Sequence, residues 1–417
     1  MSAITSAKVG FDTSDTLDTP IPKKTVQGFM NTFEFSTCSS LVCGIGAINE
    51  LPSRLKSLGV TKALIVTDPG LLSTGIVAQA CDSLAASDMP FTIYSDVQAD
   101  PPEAVVLSAA AFARDQQIDG VVGLGGGSSM DVAKLIAVLA SGREDIAQLL
   151  ESIYGIDLVV GDRLPLIQVP TTAGTGSEVT PISIVTTGAT QKTGIVSKRL
   201  LPDFAILDAQ LTVGLPSHVT AATGVDAMVH AIEAFTSKAK KNAYSDMLAK
   251  QALLLLSANV RKVCTDGSDL DARQAMLLGS MLAGQAFANA PVAAVHALAY
   301  PLGGHFHVPH GLSNSLVLPP VLRFNADAAS ALYAQLLDYV KPGAAPTTDS
   351  AKCDAFIEEM ESIIDDVKLP KTLRDCGVGR QDLPTLASDA MLQQRLLVNN
   401  PVDVTEQDAL KIYNSIY

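Results

Sequence analysis

The strongest constraint on the fold is the order in which two kinds of hydrophobic pattern follow each other along the chain. Up to about residue 213, short β-type runs alternate with helix-like stretches, whereas only long helical patterns occur from Pro216 onward. Strands that alternate with helices are typical of a parallel sheet with helices on both faces. The sequence therefore predicts an α/β domain followed by an all-helical domain.

The individual elements and domain limits follow from the same patterns. The predicted strands are residues 32–36, 63–67, 91–94, 120–123, 164–169, 180–187 and 205–211, and the predicted helices between them are residues 47–58, 72–87, 102–116 and 131–139. The later predicted helices are residues 219–235, 243–263, 272–289, 294–302, 326–340, 350–367, 383–397 and 404–413. Because proline interrupts helices, Pro301, Pro309 and Pro319 are expected near helix ends. The predicted organisation is a lead-in (1–30), an α/β domain (31–213) and an all-helical domain (214–417).

Composition limits the classes of partner. Hydrophobic residues make up 47% of the chain, and the 43 acidic residues outnumber the 29 basic ones, giving a formal net charge of −14. Such a surface repels phosphate backbones and anionic lipids, so neither a nucleic acid nor a membrane is expected as a partner. Residues 1–30 lack the apolar core of a signal peptide, and the six cysteines form no C-x-x-C pair. A soluble, cytoplasmic protein with reduced thiols is therefore expected.

A glycine-rich turn is the first candidate binding site. Residues 120–134 have the sequence GVVGLGGGSSMDVAK, in which a β-run ends in Gly125, Gly126, Gly127 and Ser128 and a helix is expected to begin at Asp131. Glycines let the backbone approach a ligand closely, and a helix N-terminus attracts anions, a combination that suits a pyrophosphate. The usual G-x-G-x-x-G pattern is not met, because its third glycine would fall at Ser128. A tight strand–helix connection without a ligand is the alternative.

Two further features could complete a nucleotide site. The loop PTTAGTGS, at residues 170–177, follows a predicted strand, and its hydroxyl groups could bind a nucleotide or belong to an ordinary loop. Asp68 ends another predicted strand, where a carboxylate could accept hydrogen bonds from an adenosine ribose and would repel a 2′-phosphate. It could equally be a helix cap.

Metal-ligating residue types are concentrated in the second half. Asp226 and His230 are four residues apart in a helical pattern, which places both side chains on one face. Four of the six histidines, among them His296 and His310, lie between residues 296 and 310. Imidazoles bind Fe²⁺ and Zn²⁺ well, and a carboxylate adds neutralising charge. The pattern favours a metal site, with His305 and His307 as further candidates and structural histidines as the alternative.

Four stretches together resemble those of the iron-containing (group III) alcohol dehydrogenases. They are GGGSSMDVAK (125–134), PTTAGTGSEVT (170–180), ATGVDAMVHAIEAF (222–235) and HALAYPLGGHFHVPHG (296–311), and the resemblance covers about residues 30 to 417. It implies a dehydroquinate synthase-like fold, in which a Rossmann-like dinucleotide-binding domain precedes a helical metal-binding domain. The implied activity is hydride transfer between NAD(H) and a primary alcohol or its aldehyde, with the substrate oxygen on Fe²⁺ or Zn²⁺.

The same resemblance implies the site residues. The implied metal ligands are Asp226, His230, His296 and His310. The implied cofactor contacts are Asp68, Gly125, Gly126, Gly127, Ser128, Asp131, Thr171, Thr172, Thr175 and Lys192. Asp68 at its position makes NAD(H) the expected cofactor rather than NADP(H).

Two implied positions and several alternatives stay open at this point. Tyr300 occupies a position where members of the family often have a proton-relaying histidine, but a tyrosine hydroxyl has an ordinary pKa of about 10. Phe287 matches an apolar position in the substrate pocket, or is a core aromatic residue. The family also includes hydroxyacid–oxoacid transhydrogenases and lactaldehyde or 1,3-propanediol reductases, and a catalytically silent assembly protein is an alternative of another class. The resemblance also implies a homo-oligomer, namely a dimer.

Overall fold

A six-stranded parallel sheet organises the first part of the chain. The computed structural model describes residues 32–142, 144–188 and 191–417, so the predicted lead-in of residues 1–30 lies outside the described residues. The strands of this sheet are β1 (Ser40–Cys43), β2 (Ala63–Val66), β3 (Phe91–Tyr94), β4 (Gly120–Gly125), β6 (Leu166–Pro170) and β9 (Phe204–Leu207). Their order across the sheet is β1-β9-β6-β4-β2-β3. A smaller sheet contains β5 (Gly155–Ile156), β7 (Ile182–Thr187) and β8 (Gln191–Val196), of which β7 and β8 are antiparallel.

Helices cover both faces of the large sheet. They are α1 (Leu51–Ser57), α2 (Pro69–Leu72), α3 (Ile76–Ala86), α4 (Glu103–Asp115), α5 (Gly127–Leu139) and α6 (Ile146–Ser152). Alternate residues of β2 point to opposite faces: Leu64 and Val66 belong to a core with α4 and α5, whereas Ala63 and Ile65 belong to a core with α1 and α3. Because both faces are buried, the central strands are continuously apolar.

The second part of the chain is helical. Its helices are α7 (Ser217–Thr236), α8 (Ala243–Thr265), α9 (Leu270–Asn289), α10 (Ala294–Phe306), α11 (His310–Val340), α12 (Asp349–Asp366), α13 (Leu383–Ala390), α14 (Gln394–Leu397) and α15 (Glu406–Ser415). They enclose a large apolar core in which α7 is nearly surrounded, since sixteen of its residues from Thr220 to Thr236 are buried. The predicted combination of an α/β part and an all-helical part is confirmed.

Helix α9 packs directly on the α/β part. Leu277 and Met281 of α9 share a small core with Val179, Ala205 and Leu207. The Asn289 side chain at the end of α9 accepts a hydrogen bond from the Ser36 backbone N–H and donates one to the Ser36 carbonyl. The domain limits 31–213 and 214–417 therefore stay a prediction, because the two parts are joined by a common core.

Several predicted element boundaries are wrong. Residues 32–36 form no strand, and the first strand begins at Ser40, because Ser36 is instead bound by the Asn289 side chain. Helix α5 begins at Gly127, four residues before the expected Asp131. Pro301 lies inside α10, and Pro319 and Pro320 lie inside α11. There, burial of the helix on its neighbours outweighs the local cost of proline.

No helix in the described ranges is both long and apolar enough to cross a bilayer.

Candidate functional site

A cluster of one carboxylate and three imidazoles lies among three helices. Asp226 and His230 come from the buried middle of α7, His296 from the first turn of α10, and His310 is the first residue of α11. One ligand atom from each of the four lies within 4.8 Å of the others. The helical period brings Asp226 beside His230, and the turn between α10 and α11 returns the chain to deliver His310. The structure thus brings together all four predicted metal ligands.

Hydrogen bonds outside the cluster orient two of its rings. The Nδ1–H of His230 donates to the Gly174 carbonyl at 3.2 Å, because a carbonyl can only accept. The Nδ1 of His296 lies 2.6 Å from a Glu233 carboxylate oxygen. In the neutral ring, a proton on Nδ1 leaves the lone pair on Nε2. In both imidazoles the Nε2 lone pair is therefore free to coordinate a cation. This arrangement is typical of metal-binding histidines.

Burial sets the charge state of the cluster. Burial lowers the pKa of His230 to about 3, well below its ordinary 6.5, although the neighbouring Asp226 carboxylate opposes this effect. Burial alone would raise the pKa of Asp226, but the three imidazoles and a hydrogen bond from Asn314 hold it below its ordinary value. At neutral pH the carboxylate is therefore charged and His230 is neutral, which is the protonation that metal coordination needs.

Two residues of this site were missed by the sequence analysis. Glu233 holds the His296 ring and also accepts from the Val295 backbone N–H at 2.7 Å. Asn314 donates to Asp226 at 2.5 Å, and its Nδ2 lies 3.3 Å from the Nε2 of His296. The signal was their helical spacing, since Glu233 follows His230 by three residues and Asn314 follows His310 by four.

The two uncertain pocket residues both lie beside the cluster. The Phe287 ring stacks on the His230 ring with centroids 4.4 Å apart. The Tyr300 ring is tilted against His310 with centroids 5.9 Å apart. Burial raises the pKa of the Tyr300 hydroxyl above its ordinary value. The position of Phe287 fits a pocket wall, whereas the shifted pKa makes Tyr300 a poorer proton donor at neutral pH.

The two further candidate ligands, His305 and His307, lie outside the cluster. His305 is exposed, and its Nε2 lies within hydrogen-bonding distance of the Asp389 carboxylate, at 2.5 Å. His307 ends α10 in a left-handed backbone conformation, with φ of 53°. Both residues lie at the C-terminal end of α10, and neither belongs to the cluster.

The glycine-rich turn lines a separate groove. This groove, of about 590 Å³, is bordered by Asp68, Pro69, Gly70, Val97, Gln98, Ala99, Gly126, Gly127, Ser128 and Ser129. Because α5 begins at Gly127, its free backbone N–H groups face the groove directly. A Cβ on Gly125 would lie 2.7 Å from that of Ser129, so only glycine fits this tight entry into the helix. The binding of a pyrophosphate at this turn stays a prediction.

The second loop, residues 171–176 after β6, lies against the glycine-rich turn and reaches the metal cluster. Thr171 donates its backbone N–H to the Gly125 carbonyl at 3.0 Å. The hydroxyl of Thr172 lies 3.7 Å from the Cβ position of Gly126, and Thr175 packs against Gly127. The Gly174 carbonyl in the same loop holds His230. One loop of six residues therefore joins the groove to the metal cluster.

The remaining predicted cofactor residues have partners within the protein. The Asp68 Oδ1 caps α2 by accepting from the Leu71 N–H at 3.0 Å. The Asp131 carboxylate accepts from Ser177 at 2.6 Å and from the Ile184 N–H at 2.9 Å, so it braces the second loop. Lys192, on β8, forms an ion pair with Asp100 at 2.6 Å, directly after groove residue Ala99. Asp68 thus borders the groove, whereas Lys192 reaches the residue that follows groove residue Ala99, and Asp131 binds the residues that follow the second loop.

The donor set fits a divalent transition metal. Three imidazoles and one carboxylate, with no cysteine, suit Fe²⁺ or Zn²⁺ and leave a coordination position for a further oxygen. His310 is the exposed member of the four, whereas the other three are buried. The cluster is therefore open on one side to a small molecule, as a catalytic site requires.

Family models match almost the whole described chain. Residues 38–209 match the model for "Iron-containing alcohol dehydrogenase", and residues 220–417 match that for the "Fe-containing alcohol dehydrogenase family, C-terminal". The chain is 41% identical over 374 residues to the long-chain-alcohol dehydrogenase 1 of Geobacillus thermodenitrificans, which covers 90% of this chain and 94% of that protein.

Solved structures agree with this assignment. A 1,3-propanediol oxidoreductase superposes with a TM-score of 0.88 at 35% identity, covering 93% of this chain and all of that one. The sulfoacetaldehyde reductase of Bifidobacterium kashiwanohense, solved with NAD⁺, has a TM-score of 0.81 at 26% identity and covers 93% of this chain and 99% of that one. The chain belongs to the iron-containing alcohol dehydrogenase family, and it is an oxidoreductase that interconverts alcohols and aldehydes.

Proposed function

We propose that this chain reduces an aldehyde to a primary alcohol, and oxidises the alcohol in reverse, at the cluster of Asp226, His230, His296 and His310. The four residues would hold the divalent metal. NAD(H) would bind at the glycine-rich turn through residues 125–128, with Asp68, Thr171, Thr172, Thr175 and Lys192 around it and Asp131 bracing the loop.

One observation supports this assignment more than any other. The loop from Thr171 to Gly176 touches the glycine-rich turn on one side and fixes the His230 ring through Gly174 on the other. A dinucleotide that has its pyrophosphate at the N-terminus of α5 would extend along this loop towards the cluster. The nicotinamide ring and the metal would then meet at one place, as hydride transfer needs.

Each of the protein groups would have its own role in the reaction. When bound, a divalent metal supplies a Lewis acid that lowers the pKa of an alcohol and polarises an aldehyde, and NAD(H) carries the hydride. Asp226 supplies negative charge to the cluster, and Glu233 and Gly174 keep two Nε2 lone pairs directed inward. Phe287 covers the His230 ring and limits the space beside it. Tyr300 would position substrate, because its raised pKa disfavours proton transfer.

The cofactor identity follows from charge at the groove. The Asp68 Oδ1 is used by the Leu71 N–H, which leaves its second oxygen for a ribose hydroxyl. A carboxylate at this edge would repel the 2′-phosphate of NADP(H), so NAD(H) is the proposed cofactor. Fe²⁺ is the proposed metal and Zn²⁺ the alternative, since the donor set accepts both. A cytoplasmic homodimer is proposed for the assembled enzyme.

Substrate turnover tests the proposal directly. Protein purified without oxygen and analysed for metal should oxidise NADH in the presence of short aldehydes, and more slowly or not at all after chelation. NADH fluorescence should change on binding in the presence of Fe²⁺ or Zn²⁺. A protein that binds no NADH in any metal state would rule the proposal out, and would favour a silent assembly protein. Aldehyde turnover that requires a hydroxyacid donor and no free NADH would instead indicate a transhydrogenase.

A further inference from the structure

An arginine that none of these roles uses lies beside the cluster. Arg395 is the second residue of α14, and its Nη1 and Nη2 atoms lie 3.5 and 3.6 Å from the Cβ position of Gly194 on β8. The guanidinium also lies near enough to the Tyr300 hydroxyl to lower its pKa, against the larger effect of burial. Because the Tyr300 ring in turn contacts His310, the guanidinium is one aromatic side chain away from the cluster.

This guanidinium lacks the carboxylate partner that many arginines of the chain have. Arg54, Arg163, Arg199, Arg261 and Arg323 all form ion pairs. Within the described ranges, no carboxylate oxygen lies within 4.0 Å of Arg395, although the chain has an excess of acidic residues. The nearby Lys192, two residues before Gly194, is neutralised by Asp100. Among the residues that the structure describes, Arg395 thus has no ionic partner, and its side chain is exposed.

The backbone that carries this side chain is firmly held. The Asn399 side chain donates to the Arg395 carbonyl at 3.0 Å and to the Val292 carbonyl at 2.9 Å. Asn399 is almost fully buried, and Val292 lies two residues before α10 begins. The backbone of Arg395 is therefore held beside the segment that leads into α10 and His296.

We propose that Arg395 is a specificity-determining residue that binds the carboxylate of an ω-oxo acid, or of the corresponding hydroxy acid, while the aldehyde or alcohol end occupies the cluster. The inference rests on the proposed function, because it needs that end to react there. The planar fork of a guanidinium matches the two oxygens of a carboxylate. Tyr300 lies between the Arg395 guanidinium and the cluster, and it would line the carbon chain of a substrate that reaches both.

Two aldehydes of equal carbon number test the preference for a terminal carboxylate. The substrate pair is 4-oxobutanoate and butanal, which have the same number of carbons and differ in the terminal carboxylate. For Arg395→Gln, kcat/KM for 4-oxobutanoate should fall by about 10- to 100-fold, the range of a lost charged hydrogen-bonded contact, mainly through KM. Butanal turnover should change less than about threefold. Arg395→Lys should recover part of the loss, because lysine keeps the charge but not the fork.

A control variant tests whether the effect belongs to Arg395 or to the loss of any arginine charge. Arg323→Gln removes an equivalent arginine that pairs with Glu361 on the surface, and it should leave the ratio of the two substrates unchanged. Equal losses for both aldehydes in Arg395→Gln, or no loss for either, would overturn the inference. The same holds if the wild-type enzyme shows no preference for the anionic aldehyde.

A binding measurement distinguishes this inference from the proposed function. Calorimetric titration of the metal-loaded protein with butanoate and with butanamide requires no turnover. If no aldehyde is reduced but butanoate binds about 10-fold more weakly to Arg395→Gln than to wild type, the proposed function fails and the carboxylate site stands. If butanoate binds equally to both proteins, the carboxylate site fails whatever the turnover.

Discussion

Single side chains around the cluster decide whether it can hold a metal. Glu233 lies outside the four candidate ligands, yet its two oxygens accept from the His296 ring and from the Val295 backbone, so it fixes both the tautomer and the position of that imidazole. Glu233→Gln replaces one acceptor oxygen with an NH₂ group that cannot accept. We expect metal affinity to fall by about 10- to 100-fold, the usual effect of losing such a partner. Competition with a chelator of known affinity measures it.

The control for this variant is a glutamate of similar surroundings far from the cluster. Glu359 is also mostly buried and charged, but it pairs with Arg261 and Lys341. Glu359→Gln should lower the free energy of unfolding and leave metal affinity as it is. Equal metal affinities in wild type and Glu233→Gln would show that the His296 ring needs no carboxylate to orient it.

A second buried glutamate should make stability depend on pH. Burial raises the pKa of Glu178 from 4.5 to about 7. Between these values the folded protein holds a proton that the unfolded chain has lost, so the contribution of Glu178 to stability falls as pH rises from about 4.5 to about 7. Each unit of pKa shift corresponds to about 1.4 kcal/mol.

Glu178→Gln should remove this dependence. Its stability relative to wild type should increase between pH 4.5 and pH 7, because the amide carries no charge to desolvate. Lys134 beside it keeps its bonds to Ser177, Thr180 and the Ile182 carbonyl, so the variant has the means to fold. Urea unfolding at several pH values measures the difference, with the exposed Glu151→Gln as control. A difference between wild type and Glu178→Gln that stays constant with pH would contradict the assignment.

At the scale of elements, the sequence predicts well what local pattern determines. The strands β2 and β3 and the helix α8 begin where the apolar pattern begins, since hydrophobic periodicity alone specifies them. Residues 32–36 have the same β-type composition but form no strand, because pairing depends on a partner that is distant in sequence. Helix α11 continues through Pro319 and Pro320 for a related reason, namely burial by neighbours. The four ligand residues were found through motif spacing, but Glu233, Asn314 and Arg395 act through tertiary contacts that spacing does not reveal.

A glycine contact between two elements fixes the second loop. Gly284 of α9 meets Gly176 at the end of that loop, and a Cβ on Gly284 would lie 2.8 Å from the Gly176 Cα. Alanine normally favours a helix over glycine by about 1 kcal/mol. Here Gly284→Ala should instead lower the free energy of unfolding by about 1–3 kcal/mol, because the added methyl group would overlap the Gly176 backbone. It should also weaken NADH binding, because the loop that borders the groove must move.

Another helical glycine supplies the comparison. A Cβ on Gly303 of α10 meets only the Val308 carbonyl, at an ordinary 3.6 Å. Gly303→Ala should therefore be neutral or stabilising in urea unfolding, with unchanged NADH fluorescence titration. If Gly284→Ala is as stable as Gly303→Ala and binds NADH as tightly, the close approach of α9 to the loop has no role in holding the groove.

At the scale of the whole molecule, the two halves share their interior. Leu277 and Met281 of the helical half are buried with Ala205 and Leu207 of the sheet, and the loop that borders the groove also orients His230. Unfolding either half would expose the apolar surface of the other and would release one side of the metal cluster. Residues 34–417 accordingly form one compact unit. Cooperative unfolding of this unit is the physical consequence.

Calorimetry with each ligand separately tests this cooperativity. The proposed metal ligands all lie in α7, α10 and α11, whereas the NADH groove is lined by residues that follow β2, β3 and β4 and by the first turn of α5. A ligand at 100 times its Kd stabilises the fold to which it binds by about 2.7 kcal/mol. In one cooperative unit, metal and NADH should each raise the same single Tm by a few degrees. If the predicted domains 31–213 and 214–417 unfold independently, two transitions should appear, with NADH shifting one and metal the other. The shared core around Met281 predicts the single transition, because neither half keeps its apolar surface covered without the other.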